Sequence, residues 1–415
     1  IKNMSKVGVS KMSENKKSEA LKLNELDKFV LSVGESTNDK KGMNLRTRTR
    51  YRANKVKQSV AIFTKRHLHL IFVLRRILFT ILTLFIMITL IFLIFRCTVD
   101  ENWFLSDISS GITSNVGSPE YNALLQERLH QFSLDGSLWN QIWKFWYNIL
   151  PFIPKTVPTF TTVTIDQHLA FAEYQTVFVY FGELYTSGIG EGGSAVAASF
   201  ESGIAYSLVF VVVSLLFSFL IGVPLGFYSA WKKGRTTDKA ISVISTFLSA
   251  TPPIVITLII YYISFFSKSH TSYASGTFDT KIMPMIVLIL IQTPFIVAST
   301  KSYVFDELSM DYSKFALAKG MTDTRMFMSH IFRNVIIRII RIIPIAAISS
   351  FCGTEIFVEM VWMIPGMSKD IVDAVNNNEY FAILGYVVTI ATFGIILSAA
   401  IDLIASSFDY VYKTR

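Results

Sequence analysis

The chain has 415 residues, 51% of them hydrophobic and only 17% charged, with a formal net charge of +9 and a mean hydropathy of +0.45. This balance excludes an ordinary soluble domain, because the apolar residues fall in long uncharged runs instead of a periodic core pattern. The charge is equally uneven: residues 1–60 hold 15 Lys/Arg against 6 Asp/Glu, which accounts for the whole excess.

In chain order, the first 40 residues are rich in Lys, Ser, Asn and Glu and read as disordered. Between Lys41 and Arg76 there are eleven basic residues and no acid. Such a run reads as a solvated flank that holds the next span's N-terminus in the cytoplasm and can touch anionic lipid, in preference to a nucleic-acid-binding tail. Apolar runs long enough to cross a bilayer follow at 77–95, 206–228, 240–267, 282–300, 342–362 and 381–401, which predicts six transmembrane helices. The first is too long for a cleavable signal and is followed by no small-residue cleavage site. Cys97 and Cys352 lie far apart, in or beside apolar runs, and are expected as free thiols.

Loop charges set the expected direction. Residues 232–239 and 301–341 each carry a balance of +3, whereas residues 96–203 carry four basic against eleven acidic residues. The positive-inside rule then places both termini and the 301–341 loop in the cytoplasm. The domain plan is a basic tail (1–60), a first helix (61–100), an external region (101–203) and a membrane core (204–415).

Several spans carry residues that such segments usually avoid. Pro252, Pro253 and Pro294 each free a carbonyl, which is tolerated where neighbours or water satisfy it. They are pathway candidates, with ordinary kinks an equal reading. Glu355 and Glu359 share one helix face in the fifth span. A charge near mid-bilayer costs on the order of 2.5–3.5 kcal/mol, so both should face a cavity, a partner or the interface. Lining a gate is one reading; a structural cap or pairing by Glu359 is the other. In the external region, Trp139, Trp143, Trp146 and Tyr147 form a helical stripe, readable as a receptor-docking surface or as packing on the membrane.

No Walker A motif is present. Gly188-Ile-Gly190-Glu-Gly192-Gly193 matches the dinucleotide fingerprint in form only, since no strand–turn–helix unit surrounds it. Six scattered histidines show no metal-ligand spacing. No catalytic site is visible.

The 301–341 loop is the most informative stretch. Lys314-Phe315-Ala316-Leu-Ala318-Lys319 favours a helix, and Gly320 can end it with a positive φ. Met321 follows, and Thr322 can cap a second helix with Asp323 in its first turn. That helix carries Arg325, His330, Arg333 and Asn334. A helix, a glycine elbow and a second helix make a knob suited to receiving force from a soluble partner.

This pattern resembles the cytoplasmic coupling loop of binding-protein-dependent ABC importer permeases, most closely the B-type subunit of the dipeptide and oligopeptide branch. The likeness extends to Leu74-Arg75-Arg76-Ile77, Leu134-Asp135-Gly-Ser-Leu138-Trp139, Phe181-Gly182-Glu183-Leu184-Tyr185, Gly222-Val-Pro224-Leu-Gly226, Glu359 with Pro365-Gly366, and Asp402 with Asp409. Together these cover about residues 70–415. Two departures stand out. Arg338 occupies a position where the branch commonly has proline, and 151–180 resembles an insertion whose alternation suggests a small β-hairpin.

The resemblance implies an all-α membrane protein with the type I ABC importer permease fold and an extracellular domain between the first two helices. It further implies a plasma-membrane, non-catalytic subunit that imports oligopeptides. Its partners would be a homologous second permease, two cytoplasmic ABC ATPases and an extracellular substrate-binding (lipo)protein. ATP and Mg would be bound by the ATPases, with no cofactor in this chain. Import of dipeptides, nickel or another small solute is the alternative within the same architecture. An autonomous carrier or channel is the alternative of a different class, for which inverted repeats and an ion site are missing from the sequence.

Overall fold

A computed structural model describes residues 68–106, 116–163, 169–186, 189–267, 272–273 and 276–408; within these, the side chains of 68–72, 160–172, 202, 279, 323, 407 and 408 are outside the description. The basic tail, 1–60, lies outside the described residues. The chain divides into two units, Ile1–Leu74 and Arg75–Arg415. Of the first, only the opening turns of the first helix are described.

Helix α1 (Leu68–Thr98) contains an apolar span, Val73–Thr98, whose 26 residues reach about 39 Å at the helical rise. After α1 a 3-10 turn (Glu101–Leu105) precedes α2 (Pro119–Gln131) and α3 (Leu138–Ile149), each of these two helices capped by a serine that accepts from the first turn. Strands β1 (Lys155–Val163) and β2 (Leu169–Val177) pair antiparallel, from Lys155 opposite Val177 to Val163 opposite Leu169. The expected hairpin therefore forms, but 178–180 fall outside it. Lys155 Nζ donates to the Phe178 carbonyl (2.7 Å) and the Leu150 carbonyl (2.7 Å), and the Tyr180 amide turns to the Asn148 carbonyl (2.9 Å). These bonds close the hairpin base and end the second strand at Val177.

The membrane core follows. Helix α4 (Val196–Trp231) is continuous through Pro224. Helices α5 (Thr236–Ala250) and α6 (Pro253–Phe266) meet at a bend of 99°. Thr251 and Pro252 are both extended there (ψ 127° and 136°), because a residue before proline avoids the helical region and proline donates no N–H. The run at 240–267 is thus a broken pair. Among the described residues, five helices are long and apolar enough to cross a membrane, or six if that pair is one span. Helix α7 (Asp279–Ser309) contains Pro284 and Pro294. Its end leads into α8 (Asp311–Ala318), α9 (Asp323–Met326), a π turn (Phe327–Ile331) and α10 (Phe332–Ile340). The next span is composite: α11 (Ile343–Ser349), a π turn (Ser350–Thr354) and α12 (Glu355–Trp362). Helices α13 (Met367–Asn376) and α14 (Tyr380–Phe408) complete the chain.

Small residues set the closest helix approach. A Cβ on Gly226 would stand 2.8 Å from the Val297 carbonyl, and one on Gly222 would stand 2.9 Å from Ile296. The two glycines on α4 therefore let α7 pack directly on it, as close helix crossings in membranes require. Ion pairs fasten other elements. Asp238 accepts from Lys301 (2.5 Å), Ser229 (2.6 Å) and the Gly234 amide (2.8 Å), joining the α4–α5 turn to α7. Arg76 pairs with Asp402, joining α1 to α14.

Between α1 and α4, Arg128 is buried completely. It donates to the Phe104 carbonyl (3.2 Å), with Glu183 3.6 Å away. Glu379, also buried, accepts from the amides of Tyr185 (3.0 Å) and Thr186. The Phe181–Thr186 stretch is thereby tied both to α2 and to the start of α14.

Candidate functional site

The elbow is built as the sequence suggests. Helix α8 ends at Ala318, and Gly320 has φ +80°. Its amide donates to the Leu317 carbonyl (2.9 Å), and the Met321 amide reaches the Ala316 carbonyl (3.2 Å). This is the paired bonding of a Schellman motif, which satisfies carbonyls that a helix end leaves bare. Nothing lies within 4 Å of a Cβ built on Gly320, so the backbone angle, and not space, requires glycine there. The next helix starts at Asp323, directly after Thr322.

The second arm is embedded. Met326, Phe327, Ile331, Val335 and Ile339 form one buried cluster with Val223, Ala230, Ile296 and Val304 of α4 and α7. A polar clamp joins the two arms. Tyr312 and Ser313 on α8 both bond to Glu307, the first to its carboxylate and the second to its carbonyl (2.7 Å). Asn334 on α10 donates to the Tyr312 oxygen (3.1 Å) and to Glu307 (3.4 Å), and Arg338 reaches Asp306 (3.2 Å). Burial, and then the bond to Glu307, raises the Tyr312 phenol above its ordinary value, so it keeps its proton and donates.

The tip faces outward. Phe315 is 62% exposed, with the Lys319 ammonium 4.5 Å above its ring. Lys314, Ala318, Lys319, Gly320, Thr322, Arg325, His330 and Arg333 are exposed too, whereas Ala316 and Met321 are half-buried. An open phenylalanine at the tip of a polar, basic loop leaves apolar surface in water until a partner covers it.

The two glutamates lie elsewhere, on α12, and both are fully buried. Glu359 accepts from the Ser207 hydroxyl of α4 (2.5 Å) and from the Lys369 amide (2.7 Å). Ser207 in turn accepts from the Met367 amide (2.9 Å). Glu359 thus caps the start of α13, at its positive end. A Cβ on Gly366 would stand 2.1 Å from Glu359, so glycine leaves the carboxylate its place. Glu355, one turn earlier, has no hydrogen-bond partner among the described residues. Asp370, in the first turn of α13, has its carboxyl pushed up to about 7, chiefly by burial and also by Asp373, with Lys369 opposing.

The Pro252-Pro253 bend sets α6 against α12: Ile256 packs with Val358 and Trp362, and Tyr261 meets Trp362 edge-on at 5.4 Å. Pro294 lies in α7, between the Thr293 carbonyl and Ile296 that face Gly222. The aromatic stripe divides. Trp146 stacks on Phe85 of α1 (5.1 Å) and donates to Thr89 (3.1 Å), whereas Trp139, Trp143 and Tyr147 are exposed.

One polar cluster escaped sequence reading. Gln292 on α7 donates to Ser350 (2.9 Å) and Ser214 (3.3 Å), and Ser218 donates back to it at 3.4 Å. It adjoins the π turn Ser350–Thr354, a helix irregularity of the kind that recurs at functional sites. The signal was present: Gln292 is an amide within an otherwise apolar run.

Residues 222–410 match the family model described as "Binding-protein-dependent transport system inner membrane component". That stretch contains the elbow and both glutamates, and over it the chain is similar to these membrane permease components. Among relatives, it is 28% identical over 209 residues to the probable peptide ABC transporter permease protein y4tP of Sinorhizobium fredii, covering 48% of this chain and 66% of that one. It is 28% identical over 191 residues to the oligopeptide transport system permease protein AmiC of Streptococcus pneumoniae, covering 45% and 38%. The matched stretch spans less than two thirds of either relative. A solved inward-facing structure of the MetNI methionine ABC transporter aligns over 51% of this chain and 96% of its own at 15% identity, with a TM-score of 0.40.

Proposed function

We propose that the chain is the B-type permease subunit of an ABC importer of oligopeptides and forms half of the translocation pathway. The observation that carries this reading is the elbow: an exposed, basic tip with Phe315 uncovered, on an arm whose other face is buried against α4 and α7. A partner seated on the tip moves the spans because the clamp of Glu307, Tyr312 and Asn334 couples the two arms. The partner in this reading is one of two cytoplasmic ATPases, which bind ATP and Mg and do the hydrolysis, so this chain performs no catalysis. A homologous permease completes the pathway, and an external binding protein delivers the peptide. Both termini lie in the cytoplasm. Glu355, which has no hydrogen-bond partner among the described residues, and the Pro252-Pro253 bend are the gate elements in this reading, with Glu359 the cap that holds α13 beside them, and Trp139, Trp143 and Tyr147 face the receptor. Peptide cargo is supported by the names of the relatives, y4tP and AmiC.

The test is co-purification of the tagged chain from its native membrane, followed by uptake of a radiolabelled tetrapeptide by the reconstituted assembly. A sister permease, two ATPases and a lipoprotein, with uptake only when ATP is enclosed with the ATPases, is the expected result. Transport by the purified chain alone would overturn the reading in favour of an autonomous carrier.

A further inference from the structure

Beside the elbow lies an apolar groove that the transport reading does not use. It has a volume of about 340 Å³ and is walled on one side by Pro224, Phe227, Tyr228 and Trp231 of α4, and on the other by Phe327, Met328 and Phe332. Such a size suits a ligand-sized occupant. Trp231 and Tyr228 are each 41% exposed and Met328 is 69% exposed, so the walls lack cover. The groove follows the last turns of a membrane span, and its indole and phenol belong to the residue types that mark the bilayer interface.

Charge identifies the occupant. The Lys232 ammonium stands 4.6 Å over the ring of Trp231, which itself lines the groove. Lys233 stands 4.4 Å over Phe305, and Arg235 follows in the same turn, exposed. None of the three pairs with a carboxylate among the described residues; the one acid of the turn, Asp238, is taken by Lys301, Ser229 and Gly234. An apolar slot at the end of a span, with the Lys232 ammonium at its Trp231 wall and Lys233 and Arg235 next in the same turn, fits an acyl chain below and a phosphate above.

We infer that this groove binds an anionic phospholipid, its acyl chain between α4 and the second arm of the elbow and its headgroup on Lys232 and Lys233. The lipid then touches Phe327, Met328 and Phe332, so the membrane's anionic content bears directly on the coupling arm. This site is independent of which solute the permease carries.

The test uses the full chain in lipid nanodiscs and the quenching of tryptophan fluorescence by brominated acyl chains. Brominated phosphatidylglycerol should quench more strongly than brominated phosphatidylcholine at equal mole fraction, by about twofold. The difference should vanish in Trp231→Phe, which keeps the groove apolar, and in Lys232→Gln/Lys233→Gln. Raising salt with the unaltered chain should shrink it as well, which guards against a misfolded double variant. Equal quenching by the two lipids would overturn the proposal and leave only unselective boundary lipid. Absence of any Trp231-dependent quenching would overturn it in favour of a protein segment filling the groove.

Discussion

Asn334 donates to the hydroxyl oxygen of Tyr312 across the elbow, at 3.1 Å, and so joins two helices that share no backbone hydrogen bond. The same Tyr312 donates to Glu307 at the end of the long α7. Three elements therefore meet in one chain of hydrogen bonds. Breaking it separates the function of the arms from the stability of the bundle, because Asn334 is exposed whereas the apolar side of its helix is buried.

For that reason Asn334→Ala should lower ATP-driven uptake by about tenfold while the protein stays at normal abundance in the membrane. Tyr312→Phe should do the same, since it removes the donated proton without changing ring packing. Uptake and immunoblot abundance measured together decide the point, and unchanged uptake in both variants would dismiss the clamp.

Gly320→Val forces a β-branched residue to φ +80° and should cost about 1–2 kcal/mol of local helix ending. The space around Gly320 is open, so the expected effect is a displaced tip and no failure to fold. Uptake should be abolished with abundance unchanged, and Gly320→Asn, which tolerates the left-handed region, should retain part of it.

Gly226→Ala sets a methyl 2.8 Å from the Val297 carbonyl and pushes α4 off α7. Overpacking of this kind costs about 1–3 kcal/mol. Thermal unfolding in detergent should show a lower Tm for this variant, with no such loss for Ala318→Ser on the exposed tip.

Lys301→Met leaves Asp238 without its ion partner at a site where only 10% of the Asp238 side chain is exposed. Removing one member of a buried pair costs about 3–5 kcal/mol. Abundance in the membrane should fall sharply, and adding Asp238→Asn should restore part of it.

Asp370 predicts a pH dependence with a definite sign. Its carboxyl is raised to about 7 in the folded chain, above the ordinary value near 4, so between those limits the native state holds more protons than the unfolded state. Stability should therefore fall as pH rises from about 4 to 7 and level off above that. Asp370→Asn should flatten the slope, measured as Tm in detergent at pH 5 and pH 8.

The spans and the elbow were legible in the sequence because each rests on a local signal. A run of twenty apolar residues marks a span, and an Ala-Lys-Gly helix end needs only its own backbone. The cap on α13 was not legible in the same way: Glu359 and its partner Ser207 are 152 residues apart, and no local pattern records which hydroxyl a buried carboxylate finds. The same holds for Arg128 and Glu183, between α1 and α4. The end of the hairpin was not legible either: Val177 to Tyr180 are all strand-favouring residues, whereas Lys155 captures the Phe178 carbonyl and the ladder stops at Val177. At Pro252-Pro253 the break was visible, but its angle of 99° depends on how α6 packs against α12.

The most direct measurement is photo-crosslinking from position 315 in living cells, with a crosslinking amino acid in place of Phe315 and a second one in place of Trp143 as control. If the elbow receives work from a cytoplasmic ATPase, position 315 captures a nucleotide-binding subunit and position 143 does not. Capture of an extracellular protein at 315, or capture of the same ATPase at 143, would contradict the account.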